Sequence, residues 1–390
     1  MFYVAYGLYS IGAFLELTTF YEVLGVSRED FVSALQAFAL ALLIIKFFTQ
    51  RASFLGWCCA VAVVLLGFAS WRMGDEGWFF WLVLFIVCSD GVRIRTLAGI
   101  TLGIVITLTL FTVLSCCLGL IDNRSFARVD RLRYSWGFKH PNNFGAYLLV
   151  MCVCYSVLRF GRNPFPDVVL VTIVFFFNLA VIDSRSSAAL ALVQIALLLI
   201  FHLTQNDKIR RIMSVLFIVG IAIVIAVSLF FMIYYDSANP IHKLLNDLMS
   251  LRLSLAHGYY SLQPLTIFGS DFIGFPPLYW ENGEPAIFIV DNAFCHLVLR
   301  SGVVSMVVFV CGLFLLLRKL TKDGRWDELL FGIVLMTIYG FGETLGIRVE
   351  CNFFLIAIGT DLIFNTKRTL LFSKESRSVP ATVKYVRRPG

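Results

Sequence analysis

The sequence predicts an all-α polytopic membrane protein with about 12 transmembrane helices, on three observations. First, only 15% of the 390 residues are charged and 59% are hydrophobic, whereas a soluble domain carries roughly 25% charge. Second, apolar runs long enough to span a bilayer recur from end to end; a crossing needs about 20 residues. Third, every second connection between the runs is basic, as the positive-inside rule requires of the cytoplasmic ones.

In chain order the expected spans fall at 2–21, 31–48, 53–70, 77–89, 97–121, 141–160, 168–182, 186–203, 213–235, 287–317, 327–346 and 349–365. The first, Phe2 to Phe20, has no basic region ahead of it, so it reads as a span and not as a cleavable signal peptide. Segment 77–89 is the shortest. Segments 168–182 and 186–203 are parted only by Asp183-Ser184-Arg185, which makes them a tight hairpin with a polar tip. The polytopic domain occupies 1–365 and a basic tail 366–390. The ten cysteines sit mostly within apolar runs and form no C-x-x-C zinc signature, so no metal and no disulfide is expected.

Charge orients the chain. The tail carries seven Lys or Arg against Glu375 alone, and belongs in the cytoplasm. With twelve spans the N-terminus is cytoplasmic too. The inward connections then hold Lys46 and Arg51, Arg93 and Arg95, Arg159 and Arg162, Lys208, Arg210 and Arg211, and Arg318, Lys319, Lys322 and Arg325. Twelve basic residues remain on the other face, five of them in the loop 122–140. Positive charge on the disfavoured side suggests an anionic ligand there; a non-crossing 77–89 would instead invert the first part of the chain. The longest connection, 236–286, is expected to be partly helical, and loops of that length are usually functional. Its Tyr259, Tyr260, Tyr279 and Trp280 suit stacking on sugar rings or packing at the membrane interface.

Several residues carry candidate chemistry. Arg124, Arg128 and Arg131 fall on one face if their loop is helical: a funnel for an acidic glycan, or an ordinary surface helix. Lys139, His140 and Asn142 place donors at the mouth of span six, where Pro141 also suits a helix entry. Arg185 at the hairpin tip is costly near lipid, and serves a ligand or pairs with Asp183. Arg252 opens a helical stretch inside the long loop. Asp291 and Asn292 open span ten; Asp291 is either a helix cap or a base for a sugar hydroxyl. Glu343, Arg348 and Glu350 flank the last outward turn, where a sugar can be held.

These motifs, in this order, resemble the Wzy-type polysaccharide polymerases and the related O-antigen ligases. The matching residues are Gly137-Phe138-Lys139-His140-Pro141-Asn142, Asp183-Ser184-Arg185-Ser186, Arg252 with Pro264 and Ile267-Phe268-Gly269, Asp291-Asn292 with Gly302, and Glu343 followed by Asn352. They cover roughly 120–355. The resemblance implies a GT-C-like, metal-independent and cofactor-free glycosyltransferase of the bacterial inner membrane. Its substrates would be undecaprenyl-pyrophosphate-linked oligosaccharides, and a flippase and a chain-length regulator its protein partners; nucleic acid is not implied. Arg185 and Arg252 would contact pyrophosphate, with Asp291 as the base. The ligases carry histidine before the asparagine of the later motif; Asp291 here favours a polymerase. The alternatives are a ligase with another acceptor, or a flippase in which the arginines bind pyrophosphate without catalysis.

Overall fold

The computed structural model describes residues 1–24, 28–128, 131–273, 275–276, 278–281, 284–286 and 290–364; the side chains of Arg128, Arg131, Tyr279 and Trp280 and the basic tail lie outside the described residues. The chain is mostly helical. Helix α1 (Phe2–Glu16) and the short α2 (Phe20–Leu24) lead into α3 (Arg28–Thr49). Helix α4 (Phe54–Gly74) starts where the Ser53 hydroxyl accepts the Gly56 N–H and stops at Asp75 in the left-handed region. Helices α5 (Trp78–Val87) and α6 (Ile94–Cys117) follow, then a hairpin of β1 (Ser125–Arg128) and β2 (Arg131–Tyr134). Pro141 at the first position starts α7 (Pro141–Arg159). Helix α8 (Phe165–Phe177) continues as a π-helical stretch to Ile182 before α9 (Arg185–Leu203), and the long α10 (Asp207–Tyr234) is capped by Asn206.

The large loop then folds as α11 (Pro240–Leu248), α12 (Arg252–Leu262) and a small hairpin of β3 (Tyr279–Glu281) and β4 (Glu284–Ala286). A single turn, α13 (Ala293–His296), runs through π-helical residues into α14 (Gly302–Lys322). Asp327 caps α15 (Glu328–Tyr339), and short helical turns at Phe353–Ile356 and Gly359–Ile363 close the described chain.

Among the described residues, eight helices are long and apolar enough to cross a membrane. At about 1.5 Å per residue a helix of 18 residues or more covers most of a hydrocarbon layer about 30 Å thick. Their outward side chains are apolar: Phe38, Phe48, Phe54, Leu65, Leu110 and Ile173 are all exposed. That pattern suits lipid as the solvent. The four other expected spans fold as α1, α5, α15 and the stretch 353–363. All ten residues of α5 are buried, as are most of α15 and of 353–359. Sheathed in protein, these helices need no full-length lipid-facing surface.

The connections gather at two opposite ends. At one end Arg93 N–H meets the Tyr3 hydroxyl, Lys46 reaches the Asp90 carbonyl, Trp326 donates to Phe201 O, and Arg95 pairs with Glu328. These are the strongly basic connections. At the other end the Thr19 and Lys139 N–H groups bond Gly137 O and Leu17 O, joining the end of α1 to the α6–α7 connection. The hairpin tip at 183–185, the large loop and the turn 340–352 share this second end through the contacts described below.

One expectation is overturned. The described part of this loop is not a helix; Ser125–Arg128 and Arg131–Tyr134 pair as β1 and β2, with Arg128 opposite Arg131 in register. Alternating Phe126, Leu132 and Tyr134 among the basic residues suit a strand better than the charge spacing suggests. The three arginines therefore do not share a helix face.

The membrane helix α13–α14 is broken in its first half, at Ser301–Gly302, and the large loop mends the break. Gly302 has φ +87° and Gly269 φ +101°. The Val303 and Val304 N–H groups donate to Thr266 O (3.0 Å) and Ile267 O (3.2 Å), and Ser270 N–H donates to Leu299 O (3.1 Å). The Ser70 hydroxyl donates to Ser301 O at 3.0 Å. Non-helical backbone at membrane depth is stable only when its polar groups find such partners. The approach is close enough to demand glycine: a Cβ on Gly302 would lie 2.4 Å from both Gly269 N and Ile267 O.

Candidate functional site

Arg252 is aimed by a strained turn. Ser250 and Leu251 both take positive φ (55° and 67°), an uncommon pair for residues other than glycine. Asn246 secures the turn: its Oδ1 accepts the Ser254 N–H at 2.9 Å, its Nδ2 donates to Ser254 Oγ at 3.1 Å, and its carbonyl accepts the Leu251 N–H. Arg252, the first residue of α12, then points inward with a side chain 12% exposed.

Two carboxylates meet it. Arg252 Nε donates to Asp291 Oδ2 at 2.8 Å, and Nη2 donates to Glu343 Oε1 at 2.7 Å. The same Glu343 oxygen accepts the Ser186 hydroxyl at 2.6 Å. The cluster thus joins the large loop, the start of the broken helix, the turn after α15 and the first turn of α9. Burial lowers the affinity of Arg252 for its proton, but Glu343 and Asp291 outweigh it and hold the guanidinium more firmly charged than usual. Burial pushes the Glu343 carboxyl up and Asp291 adds to this; together they outweigh Arg252 and Ser186. Arg252 Nη1 faces Gly342, where a Cβ would lie 3.2 Å from it.

Asp291 is free for this contact because Asn292, not Asp291, caps the helix. Asn292 Oδ1 accepts the Phe294 and Cys295 N–H groups, and Nδ2 donates to Ser228 Oγ (2.8 Å) and Phe341 O (2.9 Å). Asn292 is therefore a structural tie, while the Asp291 side chain stays 37% exposed. His140 caps α7 by accepting the Asn142 N–H on Nδ1 at 3.1 Å, so its neutral form carries the proton on Nε2. Burial and then Arg133 push its pKa down to about 4, Arg252 adding to this and Asp291 opposing it.

Arg185 begins α9 next to Ser186, is exposed, and has no ion-pair partner among the described residues. Asp183 does not neutralise it; its carbonyl instead accepts Arg133 Nη1 at 3.4 Å. Crevice-lining side chains from α10 and α12, among them Phe231, Met232, Leu253 and Ala256, extend beside Arg252.

A second polar cluster touches the backbone next to Asp291, at the Val290 carbonyl. Glu76, in the α4–α5 turn, binds His296 Nε2 (2.6 Å) and Arg300 Nε (3.2 Å), with Arg348 Nη2 3.9 Å away. Arg300 Nη1 also pairs with Asp271 of the large loop at 3.0 Å, and His296 Nδ1 faces the Val290 carbonyl at 3.1 Å. Burial would raise the Glu76 carboxyl, but His296, Arg348 and Arg300 together hold it down at about 2.

The structure therefore joins Arg252, Asp291 and Glu343 directly, sets Arg185 beside them through Ser186, and brings His140 within electrostatic reach. Arg348 belongs to the Glu76 cluster, and Arg124 turns to Glu22. Lys139 contributes its backbone N–H to Leu17, and the side chains of Arg128 and Arg131 are outside the described ones. Sequence reasoning assigned no role to Glu76, Asp271 or Arg300. Glu76 had a signal, two acids in Met73-Gly74-Asp75-Glu76-Gly77 between apolar runs.

No protein-family model matches the chain, and no curated protein and no solved structure matches it either.

Proposed function

We propose that this chain is a glycosyltransferase of the polysaccharide-polymerase kind. It would have twelve crossings, a GT-C-like arrangement and both termini in the cytoplasm of a bacterial cell. Its reaction would join polyprenyl-pyrophosphate-linked repeat units at the non-cytoplasmic face. The supporting observation is the buried Arg252 held between Asp291 and Glu343, with the unpaired Arg185 at its edge.

The chemistry follows from the charges. The acceptor sugar hydroxyl attacks the anomeric carbon of the donor glycan. A C–O bond forms there as the bond to the carrier's pyrophosphate breaks. The acceptor proton passes to Asp291, the more open of the two carboxylates. The departing pyrophosphate gains negative charge, which Arg185 and the free Nη1 of Arg252 stabilise by charge-assisted hydrogen bonds. Glu343 keeps the Arg252 fork oriented, and Ser186 keeps Glu343 oriented.

The test is purified protein in detergent supplied with lipid-linked repeat units. Longer lipid-linked oligomers are expected. No extension by well-folded protein with its correct donor would favour a flippase, which needs a sealed bilayer to act. Transfer only to a different acceptor would favour a ligase.

A further inference from the structure

Helix α11 has its polarity arranged for lipid. At about 100° per residue, Ile241, Leu244 and Leu248 fall on one arc, and all three are exposed at 60% or more. Lys243 and Asp247, also exposed, occupy an adjoining arc roughly 110° away. A third arc, on the far side of the helix from the apolar one, faces protein, and there half-buried Leu245 lies beside two polar residues. There His242 Nδ1 accepts the Asp236 N–H at 3.1 Å, its ring stacks on Tyr235, and Asn246 bonds Ser254. A helix folded against water would bury its leucines and expose its asparagine. Here Asn246 is buried while Leu244 and Leu248 point outward.

The surroundings identify the covering medium. Helix α11 begins six residues after α10 ends at Tyr234, and Phe230 and Tyr234 near that end are exposed like other lipid-facing residues. The apolar arc continues in exposed Leu251, and the loop that mends the broken helix adds exposed Ile267 and Phe268 beside Val303 and Val304. An exposed apolar arc turned away from protein and bordered by an exposed charged arc is the pattern of a helix lying in a bilayer surface.

We propose that α11 lies in the lipid–water interface at the Arg252 end of the molecule, with Ile241, Leu244 and Leu248 in the acyl chains. Lys243 and Asp247 then face water. Because Asn246 of α11 holds the turn that launches Arg252, the depth of this helix sets the height of that guanidinium above the membrane. The proposal does not depend on the reaction proposed above.

The test places a nitroxide spin label on the full chain in phosphatidylethanolamine–phosphatidylglycerol nanodiscs. Exposed Cys58, Cys59, Cys117 and Cys311 are first replaced by serine. Labels at Leu248→Cys and Lys243→Cys, about 140° apart around the helix, are compared for collision with oxygen, which concentrates in lipid, and with a water-soluble nickel chelate. The oxygen-to-nickel ratio should be at least about 10-fold higher at 248, because only that position would sit among acyl chains. Equal ratios would place the helix in water and overturn the proposal. Exclusion of both reagents at 248 would mean that a second copy or another protein covers this face, and would overturn it equally. Ile241→Cys and Leu244→Cys report on the same arc if Leu248→Cys fails to fold.

Discussion

Replacing Arg252 by Lys keeps the charge and removes the fork. Arginine reaches Asp291 through Nε at 2.8 Å and Glu343 through Nη2 at 2.7 Å, two directions that one ammonium cannot serve with the same geometry. A hydrogen bond to a charged group is worth about 1.5–3 kcal/mol. Asp291 is 37% exposed, so water replaces part of what it loses, whereas Glu343 is 11% exposed and has little water to turn to. The loss therefore falls mainly on Glu343, and about 2 kcal/mol is the expected cost. If that orientation is needed in the transition state, turnover drops about 30-fold. The assay is extension of lipid-linked repeat units, with thermal unfolding of the same preparation in parallel. A double-mutant cycle with Glu343→Gln isolates the contact and should show coupling of about 1–3 kcal/mol. Near-normal turnover with additive effects on unfolding would refute the reasoning, since it would mean the fork and the buried carboxylate do not act together.

Arg185→Ala should leave the unfolding temperature within about 1 °C, because an exposed charge without an ion pair contributes little to stability. It should nevertheless weaken protection of the protein by a soluble polyprenyl-pyrophosphate analogue in the same thermal assay. Gly302→Ala places a Cβ 2.4 Å from two backbone atoms at φ +87°; a loss of at least about 2 kcal/mol is expected, measured by denaturant or thermal unfolding. Glu76→Gln removes the negative charge shared by His296 and Arg300 and should destabilise by about 2 kcal/mol, seen as a lower melting temperature. His140 titrates near 4 where an ordinary histidine titrates near 6.5. Its neutral form therefore stabilises the fold fully above about pH 6.5, and that contribution is lost as pH falls through this window toward 4. Its imidazole resonance, identified by its absence in His140→Gln, should stay flat down to about pH 5, and Arg133→Gln should move the midpoint up.

Composition, run length and charge alternation by themselves determined that this is a helical membrane protein, because lipid imposes a simple rule: long segments must be apolar and their backbones self-satisfied. The hairpin tip at Asp183–Arg185 and the helical start at Arg252 were legible for the same local reasons. The fate of the basic loop was not. Arginine spacing of four and three suits a helix, yet the alternating apolar residues and pairing between the two segments made a hairpin of it. Likewise Asp291 and Asn292 are equally good caps on paper. Only the tertiary structure decided between them, by giving Asn292 partners on α10 and at Phe341 and giving Asp291 a buried guanidinium. Glu76 and Arg300 lie 224 residues apart, and Gly269 and Gly302 reveal their purpose only where a loop fills a broken helix. Such pairings depend on which helix ends meet in space, a property of packing across the whole chain that no local pattern encodes.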